Sequence, residues 1–274
     1  MIRFTKMNGL GNDFVVIDTR NQKFELTPAK AKWIAYRRFG IGCDQVVLLE
    51  NSEKADIFMR IFNSDGSEVK ACGNATRCVG FMLIEELGKD EVTVQTKSNL
   101  LTVKRAGADE VTVNMGEPVF DWDKIPLAQD LDVLQLPLSV GPLEEPAAVS
   151  MGNPHIVFFV DDIDAINLRA YGPLLEKHEI FPERTNVSVA EINEDNSIRM
   201  KVWERGVGKT LACGTAACAT LVLAVTLELI EEPKAVVELP GGKLLIEWHE
   251  EGYVLMTGKV ATPYHGEFDE ALFK

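Results

Sequence analysis

The chain has 274 residues, of which 46% are hydrophobic and 26% charged, the composition of an ordinary globular protein. At about 150 residues per domain it is long enough for two domains, each with its own core. Its formal net charge of −14 excludes nucleic acid and anionic membrane as partners, because both require a basic face. A small molecule, whose charges are met locally, remains.

In chain order, the N-terminus has no apolar signal-peptide core. Residues 14–17, 46–49 and 58–62 are short apolar or β-branched runs bounded by Gly, Asn or Asp, and they read as strands. Residues 28–39 read as a helix. So do residues 74–87, where Ala75, Cys78, Val79, Met82 and Leu83 follow the three-and-four spacing of a buried stripe and Gly88 stands at the cap position. Strands follow at 92–95, 101–103 and 111–113. Residues 117–146 contain five prolines and read as a boundary region leading into a second half. There, strands are expected at 156–160, 187–190, 199–203, 236–239, 243–248 and 253–257, with a helix at 215–229. The longest apolar run, 211–227, is broken by Gly214 and carries Thr215, Thr220 and Thr226. It is shorter than the roughly 20 residues needed to cross a bilayer and reads as a buried core helix. Five cysteines without a secretion signal point to reduced thiols and a cytoplasmic location.

The two halves repeat each other. Ala71-Cys72-Gly73-Asn74-Ala75 resembles Ala212-Cys213-Gly214-Thr215-Ala216 at an offset of 141 positions (213 − 72), and Gly11-Asn12 resembles Gly152-Asn153 at the same offset (152 − 11). That offset also pairs Gln45 with Asn186 and Asn63 with Glu204. Val94-Gln95 resembles Val237-Glu238 at 143, which implies a small insertion. The expected fold is therefore α+β: two homologous domains related by a pseudo-two-fold axis, each a curved, barrel-like mixed sheet around a central helix. The boundaries are expected at 1–117 and 118–262, with residues 263–274 returning to pack on the first domain.

Each repeat has the order strand, loop, Cys-Gly-[Asn/Thr], helix. A helix start has backbone N–H groups with no intrahelical partner and partial positive charge, so a cysteine there has its thiolate stabilised. Asn74 and Thr215 suit the N-cap position, and the same N–H groups can receive a carboxylate. Duplication predicts two such loops facing each other, one sulfur on each face of a substrate α-carbon. One thiolate removes the proton and the other thiol returns one. Cys43, Cys78 and Cys218 read instead as buried small hydrophobes. The spacings Cys72-x5-Cys78 and Cys213-x4-Cys218 are not those of a zinc knuckle, and no metal is expected. A Cys72–Cys213 disulfide is disfavoured in a reducing compartment.

With both loops in view, the chain resembles the diaminopimelate epimerases essentially end to end. The resemblance rests on Asn8-Gly9-Leu10-Gly11-Asn12-Asp13-Phe14, Gly42-Cys43-Asp44-Gln45, Asn63-Ser64-Asp65-Gly66-Ser67, Ala71 to Cys78, Gly152-Asn153-Pro154-His155, Arg184-Thr185-Asn186-Val187, Trp203-Glu204-Arg205-Gly206 and Leu211 to Thr215. It implies interconversion of LL- and meso-diaminopimelate without pyridoxal phosphate or another organic cofactor, in bacterial lysine and peptidoglycan precursor synthesis. It implies Cys72 and Cys213 as the catalytic pair, and Asn12, Gln45, Asn63, Gly73, Asn74, Asn153, Asn186, Glu204, Arg205, Gly214 and Thr215 as substrate contacts. His155 and Glu204 take auxiliary, tuning roles. Arg205 suits a two-pronged contact with the distal carboxylate. A homodimer is compatible with this reading. The chain departs from the family at Ala75 and around Thr215-Ala216, where Gly is common.

Two rival readings are carried forward. A proline racemase or hydroxyproline epimerase shares the two-cysteine logic but has Cys-Gly-His at the first loop, where this chain has Asn74. A thiol redox protein of the same fold would have reactive cysteines and no α-proton exchange.

Overall fold

A computed structural model describes residues 1–273. The chain divides into two compact units, residues 1–113 with 258–274, and residues 114–257.

The first unit opens with the hairpin β1 (Ile2–Gly9) and β2 (Asn12–Asp18), followed by α1 (Pro28–Ala35), β3 (Gln45–Glu50), β4 (Ile57–Asn63), the short β5 (Glu68–Val69), α2 (Gly73–Leu87), β6 (Glu91–Gln95), β7 (Leu100–Arg105) and β8 (Glu110–Asn114). β1 and β2 are antiparallel, β2 and β3 parallel, and β3 and β4 antiparallel. β4 then pairs with β5 near one end and, in parallel, with β6 at the other, and β6, β7 and β8 form a meander.

The second unit begins with a small hairpin of β9 (Ser139–Val140) and β10 (Leu143–Glu144). It continues with β11 (Ala147–Ser150), β12 (Pro154–Phe159), α3 (Leu168–Glu176), β13 (Asn186–Ile192), β14 (Ile198–Glu204), β15 (Gly208–Lys209), α4 (Gly214–Thr226), β16 (Lys234–Leu239), β17 (Gly242–Trp248) and β18 (Val254–Lys259). Its pairings run in the same sequence: antiparallel β11/β12, parallel β12/β13, antiparallel β13/β14, β14 against both β15 and parallel β16, then antiparallel β16/β17 and β17/β18. The register repeats as well. Phe14 lies opposite Gln45 and His155 opposite Asn186, while Ile57 meets Val94 and Ile198 meets Val237. The last strand, β19 (Ala261–Phe268), pairs antiparallel with β1.

In each unit the central helix touches strands from well-separated places in the ladder. α2 packs on β1, β6 and β7, and α4 on β11, β12, β13, β14, β16 and β17. α4 is apolar and buried nearly all round, as a helix enclosed by sheet must be. α2 ends at Gly88 in the left-handed conformation, where a side chain would be strained. The 117–146 stretch is a packed part of the second unit: Ile125, Leu127, Leu136, Leu138 and Leu143 join the core beneath α3. Among the described residues no helix is long and apolar enough to cross a membrane.

Three helix expectations need correction. The first helix stops at Ala35, four residues short of Phe39, because Gly40 and Gly42 turn the chain back so that Ile41 and Gly42 N–H groups bond Ile34 O. Asn74 and Thr215 are not N-caps. Cys72 and Cys213 hold that position, with extended backbone at φ −153°, ψ 115° and φ −135°, ψ 111°, and the helices begin at Gly73 and Gly214. α3 was not foreseen; it carries Gly172 and Pro173 in its interior, both of which weaken a helix. Gly172 lets α3 close on β14, where an added Cβ would lie 2.7 Å from the Trp203 ring.

Gly80 has the same role in α2, facing β7. A Cβ there would meet Val103 Cγ1 at 2.5 Å. Helix propensity alone favours Gly80→Ala by about 1 kcal/mol. Overpacking against Val103 should reverse the sign and destabilise the protein by about 1–3 kcal/mol, measurable by urea denaturation.

Candidate active site

The polar residues singled out in the sequence fall into two groups, one in each unit. In the first, Cys72 ends a loop and its carbonyl accepts the N–H of Thr76 at 2.9 Å to open α2. The Cys72 thiol donates to Asn12 Oδ1 at 3.8 Å, and Asn74 Nδ2 donates to the same oxygen at 3.2 Å. Gln45 and Asn63 are direct cross-strand partners on β3 and β4, joined by Gln45 Nε2 to Asn63 Oδ1 at 2.9 Å. Gln45 Oε1 is buried and has no hydrogen-bond partner among the described residues. An acceptor in that state costs free energy unless a ligand donor reaches it.

Behind Asn12 stands a charged network that the sequence reading did not single out. Asp13 takes Arg37 in a two-pronged contact at 2.6 and 3.1 Å and Lys6 at 2.6 Å. Lys6 also donates to Gly42 O. Burial opposes ionisation of Asp13, but the hydrogen bonds from Arg37 and Lys6 prevail and hold its carboxyl at about 2. Asp44 accepts from the same Arg37 nitrogen, Nη2, at 2.9 Å. The signal was available in the repeat. At the 141 offset Asp13 becomes Pro154 and Asp44 becomes Thr185, so the two carboxylates break the symmetry beside the very residues that keep it.

In the second unit Cys213 opens α4 in the same way, its carbonyl accepting the Ala217 N–H at 3.1 Å. Its sulfur lies 3.5 Å from Thr215 Oγ1. Asn153 Nδ2 donates to that hydroxyl oxygen at 3.3 Å, and Asn153 Oδ1 lies 3.0 Å from His155 Nε2. His155 is fully buried. Burial first, and then the charge of Arg205, press its pKa down to about 3. A neutral imidazole has one N–H. With the Asn153 carbonyl facing Nε2, the proton belongs there, and Nδ1 is buried with no partner among the described residues. The chain of donation then runs from His155 through Asn153 to Thr215, whose hydroxyl faces the Cys213 sulfur with either group able to donate.

Asn186 is 97% buried and also serves as a brace, donating to Pro154 O at 2.8 Å and accepting the Arg205 N–H at 2.9 Å. Glu204 accepts from Thr210 Oγ1 at 2.5 Å, and Arg205 Nη1 donates to Glu183 O at 3.3 Å. Glu176, a buried carboxylate also missed by the sequence reading, accepts from Trp203 Nε1 at 2.8 Å and Gly206 N at 2.9 Å. It thus holds both ends of the Glu204-Arg205 segment. Gly73 and Gly214, the first helical residues, leave the helix starts open to a ligand.

The remaining cysteines are of another kind. Cys43 and Cys78 are enclosed, and burial pushes both thiols up to about 12. Cys218 is fully buried within α4. Among the described residues no three His, Cys, Asp or Glu side chains gather as a metal site.

Comparison with known proteins gives this arrangement its relatives. The family model described as diaminopimelate epimerase matches residues 4–121 and 147–263. The chain belongs to the diaminopimelate epimerase family. It is an isomerase. It is 53% identical over 272 residues to the diaminopimelate epimerase of Rhodospirillum centenum, covering 98% of this chain and 93% of that one. It is likewise 53% identical over 272 residues to that of Sphingopyxis alaskensis, covering 99% and 98%. Among solved structures, a hydroxyproline epimerase from Agrobacterium vitis with bound trans-4-hydroxy-L-proline shares the fold at TM-score 0.70 and 14% identity, covering 97% of this chain and 90% of that one. A Bacillus anthracis phenazine biosynthesis protein of the PhzF family does so at TM-score 0.70 and 18% identity, covering 98% and 99%.

The His155 environment makes a test by pH. The unfolded chain takes up a proton on this imidazole near pH 6.5, whereas the folded protein resists it down to about pH 3. Stability should therefore fall as the pH drops through that window, by about 1.4 kcal/mol per unit from this group alone. His155→Gln keeps an N–H for Asn153 and should remove that slope in urea denaturation series.

Proposed function

We propose that the protein interconverts LL- and meso-diaminopimelate without an organic cofactor, with Cys72 and Cys213 as one acid–base pair. The observation that carries the reading is the equivalence of the two cysteines. Each is the N-cap of the central helix of its unit, and each has an asparagine from the equivalent hairpin, Asn12 or Asn153, in its hydrogen-bond network.

One thiolate takes the α-proton on one face of the substrate carbon, and the other thiol gives its proton to the opposite face. The configuration inverts, and the two sulfurs end with their protonation states exchanged. The α-proton is weakly acidic, so the residues must stabilise the carbanion-like transition state. Helix-start N–H groups at Gly73 and Gly214 suit the carboxylate that gains charge. Glu204 and the orphan Gln45 Oε1 suit ammonium groups, and Arg205 suits the distal carboxylate.

Asn12 offers the Cys72 thiol an acceptor, and Thr215 Oγ1 lies beside the Cys213 sulfur, where either can donate. Asn74 in place of a histidine, together with the Glu204-Arg205 pair, favours diaminopimelate over a proline-type substrate. The product feeds lysine and peptidoglycan precursor synthesis.

Incubated with LL-diaminopimelate in D2O, the protein should form the meso isomer and incorporate α-deuterium with no added cofactor, followed by NMR. Cys72→Ala and Cys213→Ala should each lower turnover by about 10²–10⁴-fold with circular dichroism unchanged. Wild-type protein that folds but exchanges no α-proton would sink the reading.

A further inference from the structure

Asn12 and Asn153 are equivalent in the repeat, yet their amides point opposite ends at the cysteine loops. Asn153 turns its nitrogen toward Thr215. Asn12 turns its oxygen toward Cys72 and Asn74. An amide rotates through 180° with little change of shape, so something outside each amide must choose the end. In the second unit Asn153 lies between Thr215 and His155. In the first, Asn12 Oδ1 accepts from Asn74 Nδ2, which is itself an amide, and Asn12 Nδ2 donates to Asp44 Oδ2, both at 3.2 Å. An ionised carboxylate only accepts, so it admits the NH2 end of Asn12 and rejects the oxygen.

We propose that Asp44 is a positioning residue for the two-thiol reaction, fixing the Asn12 amide so that its carbonyl oxygen is presented to the Cys72 thiol. This rests on the function proposed above. Asp44 touches no reacting atom and acts through Asn12.

Its own position is fixed from three sides. Its carboxylate accepts Arg37 Nη2 at 2.9 Å and the backbone N–H of Asp13 at 3.2 Å. Its backbone N–H donates back to Asp13 Oδ1 at 2.9 Å. This reciprocal clamp sits where β2 and β3 come into parallel register at Phe14 and Gln45, so it also aligns Asn12 with Gln45. The charged groups around Asp44 are Arg37, Asp13 and, beyond Asp13, Lys6. Two cations thus stand against the two carboxylates.

The test reads thiol reactivity, which a purely structural role would not move. Cys72 and Cys213 are alkylated with iodoacetamide at neutral pH without substrate, and each is followed by peptide mass. Asp44→Ala removes the acceptor that holds the NH2 end of Asn12 and leaves Asn74 Nδ2 on its oxygen, so the Asn12 carbonyl is held less firmly against the Cys72 thiol and the thiolate fraction rises. Cys72 alkylation should speed up by about three- to tenfold, with Cys213 unchanged. Asn12→Ala should do the same, and the double variant should do no more than either single one, because both remove one interaction.

Arg37→Gln, at a largely exposed side chain, loosens Asp44 without deleting it. It should move Cys72 in the same direction by a smaller factor, which keeps the test open if Asp44→Ala fails to fold. An unchanged Cys72 rate in folded Asp44→Ala or in Arg37→Gln, or effects of Asp44→Ala and Asn12→Ala that multiply, would overturn the assignment. Alkylation needs no turnover, so failure of the epimerase reading appears separately, as absent α-deuterium exchange.

Discussion

An α-helix cannot satisfy the N–H groups of its own first turn, and in this protein that deficit lies next to a cysteine in each unit. α2 and α4 are the central helices, held by sheet strands along much of their length. Their starts are therefore fixed in space by the whole unit. Placing the cysteine at the N-cap gives its sulfur an extended backbone and leaves the first helical residue as glycine. Charge stabilisation and open access come from the same backbone geometry.

The duplicated fold supplies two such starts, and the side chains around them then make them unequal. Equivalent asparagines carry the difference: the carbonyl end of Asn12 faces the first loop, and the nitrogen end of Asn153 faces the second. A proton-transfer pair of the proposed kind needs this inequality, since two thiols or two thiolates would each leave one half of the reaction without its partner. Asp44 and His155 sit where the repeat is broken. One is a carboxylate acceptor at the surface beside Asn12, the other a buried neutral imidazole beside Asn153, and the two amides turn in opposite directions.

The surrounding braces follow from the same need for fixed orientation. Asn186 spans from Pro154 to Arg205, and Glu176 ties Trp203 to Gly206, so the segment bearing Glu204 and Arg205 is held by buried polar groups rather than by loop packing. Such groups are stabilising only when paired, and these are. Close packing does the complementary work through Gly80 and Gly172, which bring a helix down onto a strand where any side chain would intrude.

Much of this was legible in the sequence because a repeat is a one-dimensional signal. The constant offset of 141 identified the paired loops and the paired polar positions, and the alternation of short apolar runs marked the strands. The α+β class followed from these, and so did the helices beginning beside Cys72 and Cys213. The N-cap itself was misplaced by two residues, because Asn and Thr have the usual capping chemistry and only backbone dihedrals reveal that cysteine holds the position. α3 was hidden by Pro173, whose cost is met by packing against Trp203 and the leucine cluster beneath it. Asp13, Asp44, Arg37 and Glu176 went unread for a related reason. They lack repeat partners, and a charged residue in sequence looks like solvated surface until the chain brings its neighbours to it. By itself the sequence determined which residues recur and which element each would start or join. Only the tertiary structure decided which end of each amide faces its cysteine loop, since that depends on Asp44, 32 positions from Asn12 along the chain, and on the packing that buries His155 beside Asn153.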